Sequence, residues 1–517
     1  MLNFTIDSLL SDHIGDATNL SLWTSAALSA GVLAVLYYQL AAQKSDGFNH
    51  LPGIPLIGSW DFFTKRSDFV RLAIAANKNG GISKFKLLNH NVVVVTQEQG
   101  RRFFFGDKNL NFQEGYAVLW GGAPKVEDAV KRNQSQAEQR SYFNKRVISL
   151  LRRDRLGKIV PQLFKDLNNR MDTWPQSGRA NPFDNIYRLV FQMTVRALAL
   201  KELADSPAAL EELSRLYWGV EKSTSATSVL LPWFPSRTRR NRKDITAELY
   251  QFLADPINKR KAEGRIEDDA AQFMIEQGDS TENMVTFVMA AIFAGIITTG
   301  MNICWLLLHV NANPEWSAKL QSEIQALLSE HSPDTTLPIH VRLSQIPIGV
   351  WEDSTPILDL MIQETIRVTI NIPLLRRNVD SDVKLDGATV KKGDFMAYPL
   401  EAAHLDPENY ADPMKWNPGR WEDPAEVEKH KAQLTFMGWG AGMHPCLGMR
   451  FAKLEMKFIA ALYTSRFEYT RVDKHGAPVK GVPEPDLNDL YRASPKGGEV
   501  FFEYKPKMAN GGAPGLP

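Results

Sequence analysis

Cys446 is the residue of this chain best placed to do chemistry. It stands in Trp439-Gly440-Ala441-Gly442-Met443-His444-Pro445-Cys446-Leu447-Gly448, with Gly438, Gly440 and Gly442 ahead of a single thiol. That spacing predicts a tight, backbone-rich loop holding the sulfur at the start of a helix, where N–H groups favour thiolate over thiol. A lone thiolate suits one axial bond to a haem iron, whereas a tetrahedral metal site needs more ligands. A small buried core cysteine is the plainer alternative. Cys304, beside Met301, Trp305 and Leu308, fits that alternative, but the glycine frame of Cys446 would be wasted on it.

A second group is ionic. Glu364 and Arg367 lie one helical turn apart, and Arg420 offers a third partner for a bidentate buried cluster, with a weak surface salt bridge as the alternative. A third lies in Met284–Val310, which is nearly uncharged and long enough to cross a bilayer. The hydroxyl pair Thr298-Thr299 at its middle, with Gly295 a turn earlier, favours a helix buried in a large protein over a membrane span.

The elements that must position these groups read as mainly helix with small sheets. Ala137–Ile159 and Thr246–Ile275 are rich in helix formers, and helix returns over Leu447–Phe467. Asn91–Thr96 reads as a buried strand, and Leu374–Tyr398 as short strands around turns at Asp386-Gly387 and Lys392-Gly393. The chain has 517 residues, enough for roughly three domains or one large one, and no linker divides the body. With 60 Lys and Arg against 59 Asp and Glu, no excess positive charge favours nucleic acid. Two cysteines exclude both a disulfide framework and a four-thiolate zinc site.

Leu20–Leu40 carries no charged side chain, and at about 1.5 Å per residue it reaches the thickness of a bilayer. Asp7, Asp12 and Asp16 precede it without a Lys or Arg, which argues against a cleaved signal peptide. Lys44, Lys65 and Arg66 follow, so the positive-inside rule puts the body in the cytosol. The organisation expected is a lumenal N-terminus (1–19), a transmembrane anchor (20–42), a Pro/Gly-rich linker (43–58), a catalytic domain (59–506) and a flexible tail (507–517).

In four segments, in one order, the chain resembles the cytochrome P450 superfamily of haem-thiolate monooxygenases: Ala294–Thr299, Glu364-Thr365-Ile366-Arg367, Asn417-Pro418-Gly419-Arg420, and the cysteine loop with Gly442, Cys446 and Gly448 in register. The resemblance implies the P450 fold, haem b with Cys446 as axial ligand, and NADPH used through a cytochrome P450 reductase. It gives Glu364, Arg367 and Arg420 a structural role and Thr298 and Gly295 a place at the oxygen side. Arg377, His444 and, on an early helix, Arg140 or Lys145 become partners of the haem propionates. Tyr116, Ile297 and Ile372 fall near a lipophilic terpenoid, sterol or lipid-like substrate. Arg146–Arg155 and Arg450–Lys457 offer positive charge to a reductase. Leu230–Pro235, followed by Arg237, Arg239, Arg240, Arg242 and Lys243, reads as a loop dipping into lipid. The setting implied is the endoplasmic reticulum membrane, single-pass, and the blend of motifs looks fungal.

The sequence departs from the family at two positions. Trp439 replaces the usual phenylalanine, as in the branch of prostacyclin synthase and the sterol hydroxylases. Ile297 replaces the acid that commonly precedes the oxygen-side threonine, so Thr298, water or substrate must relay protons. These departures keep two alternatives open: a redox-neutral haem-thiolate isomerase or dehydratase, and a non-catalytic haem-binding protein.

Overall fold

The computed structural model describes residues 46–54, 57–119, 135–223, 231, 233–489 and 492–507. The expected anchor and most of the tail lie outside them. Four helices build the middle of the protein: α1 (Pro182–Leu198), α2 (Thr281–Ala312), α3 (Pro356–Thr369) and α4 (Met449–Arg466). Each begins where its sequence supplies donors or acceptors for a helix end. Asn181 and Ser280 cap α1 and α2 through their side chains. Pro356 opens α3, and the Glu323 carboxylate accepts from the Ile357 and Leu358 N–H groups. The α4 helix starts at the glycine two residues past Cys446.

Helix α2 runs through the centre of this core. Among the described residues it is the one helix long and apolar enough to cross a membrane, and 67% of its most apolar stretch is buried inside the protein. Its apolar side chains face neighbouring helices on every side, which explains a hydrophobic run without lipid. Its own middle is different: Ala294 is exposed, and Phe293, Gly295 and Thr298 are half-buried.

A six-stranded sheet of order β1-β2-β3-β9-β6-β4 flanks the helices. It joins β1 (Phe48–His50), β2 (Ile82–Leu87), β3 (His90–Val94), β4 (Leu110–Asn111), β6 (Pro373–Asn378) and β9 (Phe395–Pro399). Both faces are covered: Val93 and Val95 join the main core, while Val92, Val94, Phe85 and Leu375 join a smaller one around Phe62 and Phe69. A three-stranded sheet pairs β10 (Phe467–Val472), β11 (Phe501–Pro506) and β5 (Gly178–Ala180), and β7 (Val383–Leu385) pairs with β8 (Ala388–Val390) across the Asp386-Gly387 turn.

Two long helical runs expected from composition are each broken. Ala137–Ile159 divides into Gln136–Leu150 and Arg153–Asp172, and Thr246–Ile275 into Arg237–Glu263 and Ala270–Glu276. The second break follows Gly264, whose φ of 62° ends the helix in a left-handed cap.

Candidate active site

Glu364 and Arg367, both 0% exposed, form a bidentate pair on α3, with Arg367 Nε and one terminal nitrogen 2.9 and 2.7 Å from the two carboxylate oxygens. Arg420 Nε, Trp421 Nε1 and the Asn417 N–H also donate to Glu364, at 2.9, 2.9 and 3.0 Å. The other end of Arg367 donates to the carbonyls of His404 and Pro413, each at 2.7 Å. The charge is thus fully surrounded by partners, the condition under which a buried ion pair holds.

His404 extends this cluster to the cysteine loop, and nothing in the sequence singled it out. Its Nε2 accepts from the Met437 N–H at 3.0 Å and its Nδ1 donates to the Ile370 carbonyl at 3.3 Å. Burial, reinforced by the Arg367 charge, pushes its pKa down to about 3, so the ring is neutral and keeps one acceptor for the loop. A lone His in Ala402-Ala403-His404 carries no periodic signal, because its partner is 33 residues away.

From Met437 the chain turns over its glycines. Gly440 (φ 71°) and Gly442 (φ 58°) adopt left-handed conformations. A Cβ at Gly442 would lie 2.0 Å from the Phe105 carbonyl oxygen, which accepts from the Met443 N–H at 3.1 Å. The loop docks on the end of helix Glu98–Gly106 only because residue 442 has no side chain. It closes with the Cys446 N–H donating to the Trp439 carbonyl at 2.7 Å. Trp439 is half-buried against the main core.

Cys446 is exposed, although enough protein surrounds it for burial to push its thiol pKa up. The N–H groups of Gly448 and Met449 pull the other way, as the glycine spacing leads one to expect, but burial outweighs them. Exposed apolar side chains, Phe112, Met443, Leu447 and Met449, accompany the thiol. The Phe112 ring stacks on His444 at 5.8 Å and tilts against Tyr116 at 4.4 Å.

Arg377 and Arg376 sit on opposite faces of β6, in different surroundings. Arg377, expected at a propionate, donates to Glu114 at 2.9 Å and to the Gly393 carbonyl at 3.2 Å, and lies over Phe395. Arg376 points the other way, over Phe104 and Phe112; burial lowers the pKa of His444, and the Arg376 charge lowers it further. It is buried and donates to the Leu375 carbonyl at 2.8 Å; among the described residues it forms no ion pair with a carboxylate and its Nε has no hydrogen-bond partner, and burial lowers its pKa to about 10. A buried cation without an anion is costly unless an anion arrives. The Arg140 charge also lowers the His444 pKa, and His444 makes a backbone hydrogen bond to Leu110. Tyr116, expected beside substrate, stands within the field of Arg376 and Arg66, with a backbone hydrogen bond to Leu375.

A haem fits these residues. Cys446 would offer a single sulfur ligand, the exposed apolar side chains would offer cover for a macrocycle, and Arg376, His444 and Tyr116, with Arg140 within electrostatic reach of His444, would offer cations and donors to its carboxylates. On the helix side the expectations divide. Ala294 is exposed, but Gly295 faces Thr194, whose Cγ2 a Cβ at 295 would approach to 3.3 Å. Ile297 is buried, its carbonyl taking a hydrogen bond from Tyr187. Ile372 is half-buried between α3 and β6. Lys145 is exposed on helix Gln136–Leu150.

The cations expected to face a reductase are largely paired within the chain. Arg146 pairs with Asp279, Arg153 and Arg450 with Glu352, and Lys453 and Lys457 with Asp359.

Comparison with known proteins agrees with this geometry. The chain is 31% identical over 465 residues to cytochrome P450 monooxygenase AacuE of Aspergillus aculeatus, covering 88% of this chain and 92% of that one. It is 22% identical to sterol 14-alpha demethylase cyp51A of Aspergillus fumigatus, covering 94% and 98%. Its fold matches the retinoic acid bound cyanobacterial CYP120A1 with a TM-score of 0.67 at 19% identity, over 90% of this chain and all of that one. A family model described as cytochrome P450 matches residues 49–481, and with the thiol loop, the Glu364 cluster and the fold in agreement, this chain belongs to the cytochrome P450 family of oxidoreductases.

Proposed function

We propose that the protein is a membrane-anchored haem-thiolate monooxygenase whose body, residues 59–506, inserts one oxygen atom from O2 into a lipophilic terpenoid, sterol or lipid-like molecule. The observation that carries this reading is Cys446 in its glycine-framed loop, supported by a buried Arg376 that has no carboxylate partner among the described residues. Haem b, when bound, supplies the iron at which dioxygen is activated, and a thiolate ligand favours O–O cleavage. Cys446 would ligate that group. Arg376, His444, Tyr116 and Arg140 would hold its carboxylates. Ala294, exposed on α2, would leave room for dioxygen. Thr298 holds a proton at Oγ1 on the oxygen side, with water or the substrate's own hydroxyl as the next donor, since Ile297 has none to give.

Electrons come from NADPH through a cytochrome P450 reductase. The positive surface for it is smaller than composition suggests, because Arg153 and Arg450 share Glu352. The setting proposed is the endoplasmic reticulum membrane, crossed once by residues 20–42, with the body in the cytosol. Supporting it, Trp233 and Phe234 are 72% and 45% exposed just before exposed Arg237, Arg239, Arg240 and Lys243, a pattern suited to lipid contact with cations at the headgroups. Arg242 differs from its neighbours in being buried. The relative named as a sterol 14-alpha demethylase supports a lipophilic substrate.

The test is turnover of lipophilic candidates by membranes carrying the full chain and a reductase, under 18O2 with NADPH. A product one labelled oxygen heavier is expected. A rearranged or dehydrated product without label, formed without NADPH, would replace this reading by the redox-neutral one.

A further inference from the structure

The backbone of α2 beside Thr298 is held by side chains that no family motif announces. The Tyr187 hydroxyl, on α1, donates to the Ile297 carbonyl at 3.3 Å. The Asn302 side-chain amide donates to the next carbonyl, that of Thr298, at 2.8 Å. Two successive peptide carbonyls of one helix therefore each receive a side-chain donor. They do so at the position where the family's acid is replaced by Ile297.

Both donors are themselves fixed. The Tyr187 ring lies against Gly300, where a Cβ would come within 2.7 Å of a ring carbon, so only glycine admits the ring at this depth. Asn302 is buried, and its Oδ1 lies 2.7 Å from the hydroxyl of Thr369, at the last turn of α3, the helix of Glu364 and Arg367. The same hydroxyl lies 2.6 Å from the Thr365 carbonyl. An asparagine inside a helix has poor intrinsic propensity and is costly to bury unless its amide finds partners; here the nitrogen donates to Thr298, and Oδ1 shares the Thr369 hydroxyl proton with the Thr365 carbonyl. Side-chain donors to helix carbonyls compete with the i→i+4 ladder and set its local geometry.

We propose that Tyr187 and Asn302 are positioning residues for Thr298. They fix the α2 backbone at 297–298, and through it the orientation of the Thr298 hydroxyl, without a carboxylate at 297. The role of Thr298 rests on the monooxygenase reading; the backbone restraint rests on the distances alone. Neither residue touches the reacting atoms. Gly300, which receives the Tyr187 ring, is two residues from Thr298, about 200° around the helix, so Tyr187 acts from the far side.

The test uses the full, haem-loaded chain with Tyr187→Phe, which removes the hydroxyl and keeps the ring, Asn302→Leu, and Asn302→Asp, which keeps the shape and loses the donor. Amide hydrogen exchange of peptides spanning 298–302 is expected to speed up about fivefold per variant, the equilibrium equivalent of one hydrogen bond. Peptides of α4 should not change. With reductase and NADPH, the share of consumed NADPH recovered as hydrogen peroxide is expected to rise in all three, with the thiolate-type carbon monoxide band intact. Unchanged exchange would overturn the restraint. Faster exchange with an unchanged peroxide share would overturn the positioning role and leave a structural one. The monooxygenase reading fails on a different observation, an absent thiolate band in the parent protein.

Discussion

Replacing Glu364 by Gln removes the charge of a carboxylate that is 0% exposed. Five hydrogen bonds converge on its two oxygens, from Arg367 twice, Arg420, Trp421 and Asn417. Glutamine offers one acceptor oxygen and presents an NH2 group to donors on its other side, so at least two bonds become donor against donor. Arg367, at 0% exposure, is then left without its anion. Breaking a buried pair in this way costs about 3–5 kcal/mol. For a body of roughly 450 residues, an unfolding entropy of about 2.1 cal/mol/K per residue sums to about 1 kcal/mol/K, so the midpoint should fall by about 3–5 °C. The assay is thermal unfolding of the haem-loaded chain at neutral pH, followed by tryptophan fluorescence. The double variant Glu364→Leu with Arg367→Leu should lose less than the sum of the single losses, since neither charge is then stranded. A fall of under about 1 °C for Glu364→Gln, or strictly additive losses in the pair, would refute the account of this cluster.

Two further predictions follow from the same geometry. Arg376→Leu should weaken haem retention markedly, whereas Arg377→Leu, which breaks a half-exposed pair with Glu114, should leave it near the parent value; haem loss to apomyoglobin measures both, and the reverse order would refute the assignment. Burial holds His404 and His309 neutral with pKa values of about 3, against an ordinary value near 6.5. Between those values the unfolded chain binds protons that the folded chain does not, so stability falls as pH drops below about 6.5, by about 2 kcal/mol per histidine at pH 5. His404→Gln should therefore show a smaller loss of unfolding midpoint between pH 7 and pH 5 than the parent, and equal losses would contradict the neutral ring.

The parts of the site that sequence made legible are those set by local spacing. Glycines at 438, 440 and 442 announce a loop because a Cβ at 438 would meet Ile366, one at 442 would meet Phe105, and 440 and 442 hold positive φ angles. Glu364 and Arg367 are legible because one helical turn separates them. What depended on the phase of an element was not. Arg376 and Arg377 are chemically identical, and a shift of one residue in a strand exchanges its faces, so only the pairing of β6 with β9 decides which arginine meets His444. Gly295 and Ile297 belong to the correct helix, but their rotation about its axis is fixed by Thr194 and Tyr187 on α1, about 100 residues earlier. His404, Tyr187 and Asn302 gave no signal because each acts through a contact distant in sequence or on a backbone carbonyl. The helix run Thr246–Ile275 was broken by Gly264, whose cap is a matter of backbone conformation rather than propensity.

The central claim, that Cys446 presents a thiolate to a haem in this loop, is tested most directly by a carbon monoxide difference spectrum. The purified full chain would be reduced by dithionite and, in parallel, by NADPH with a reductase. The account predicts a thiolate-type band with both reductants, lost in Cys446→Ser while the protein stays folded. A folded, haem-loaded protein without that band, or a band that survives Cys446→Ser, would contradict it.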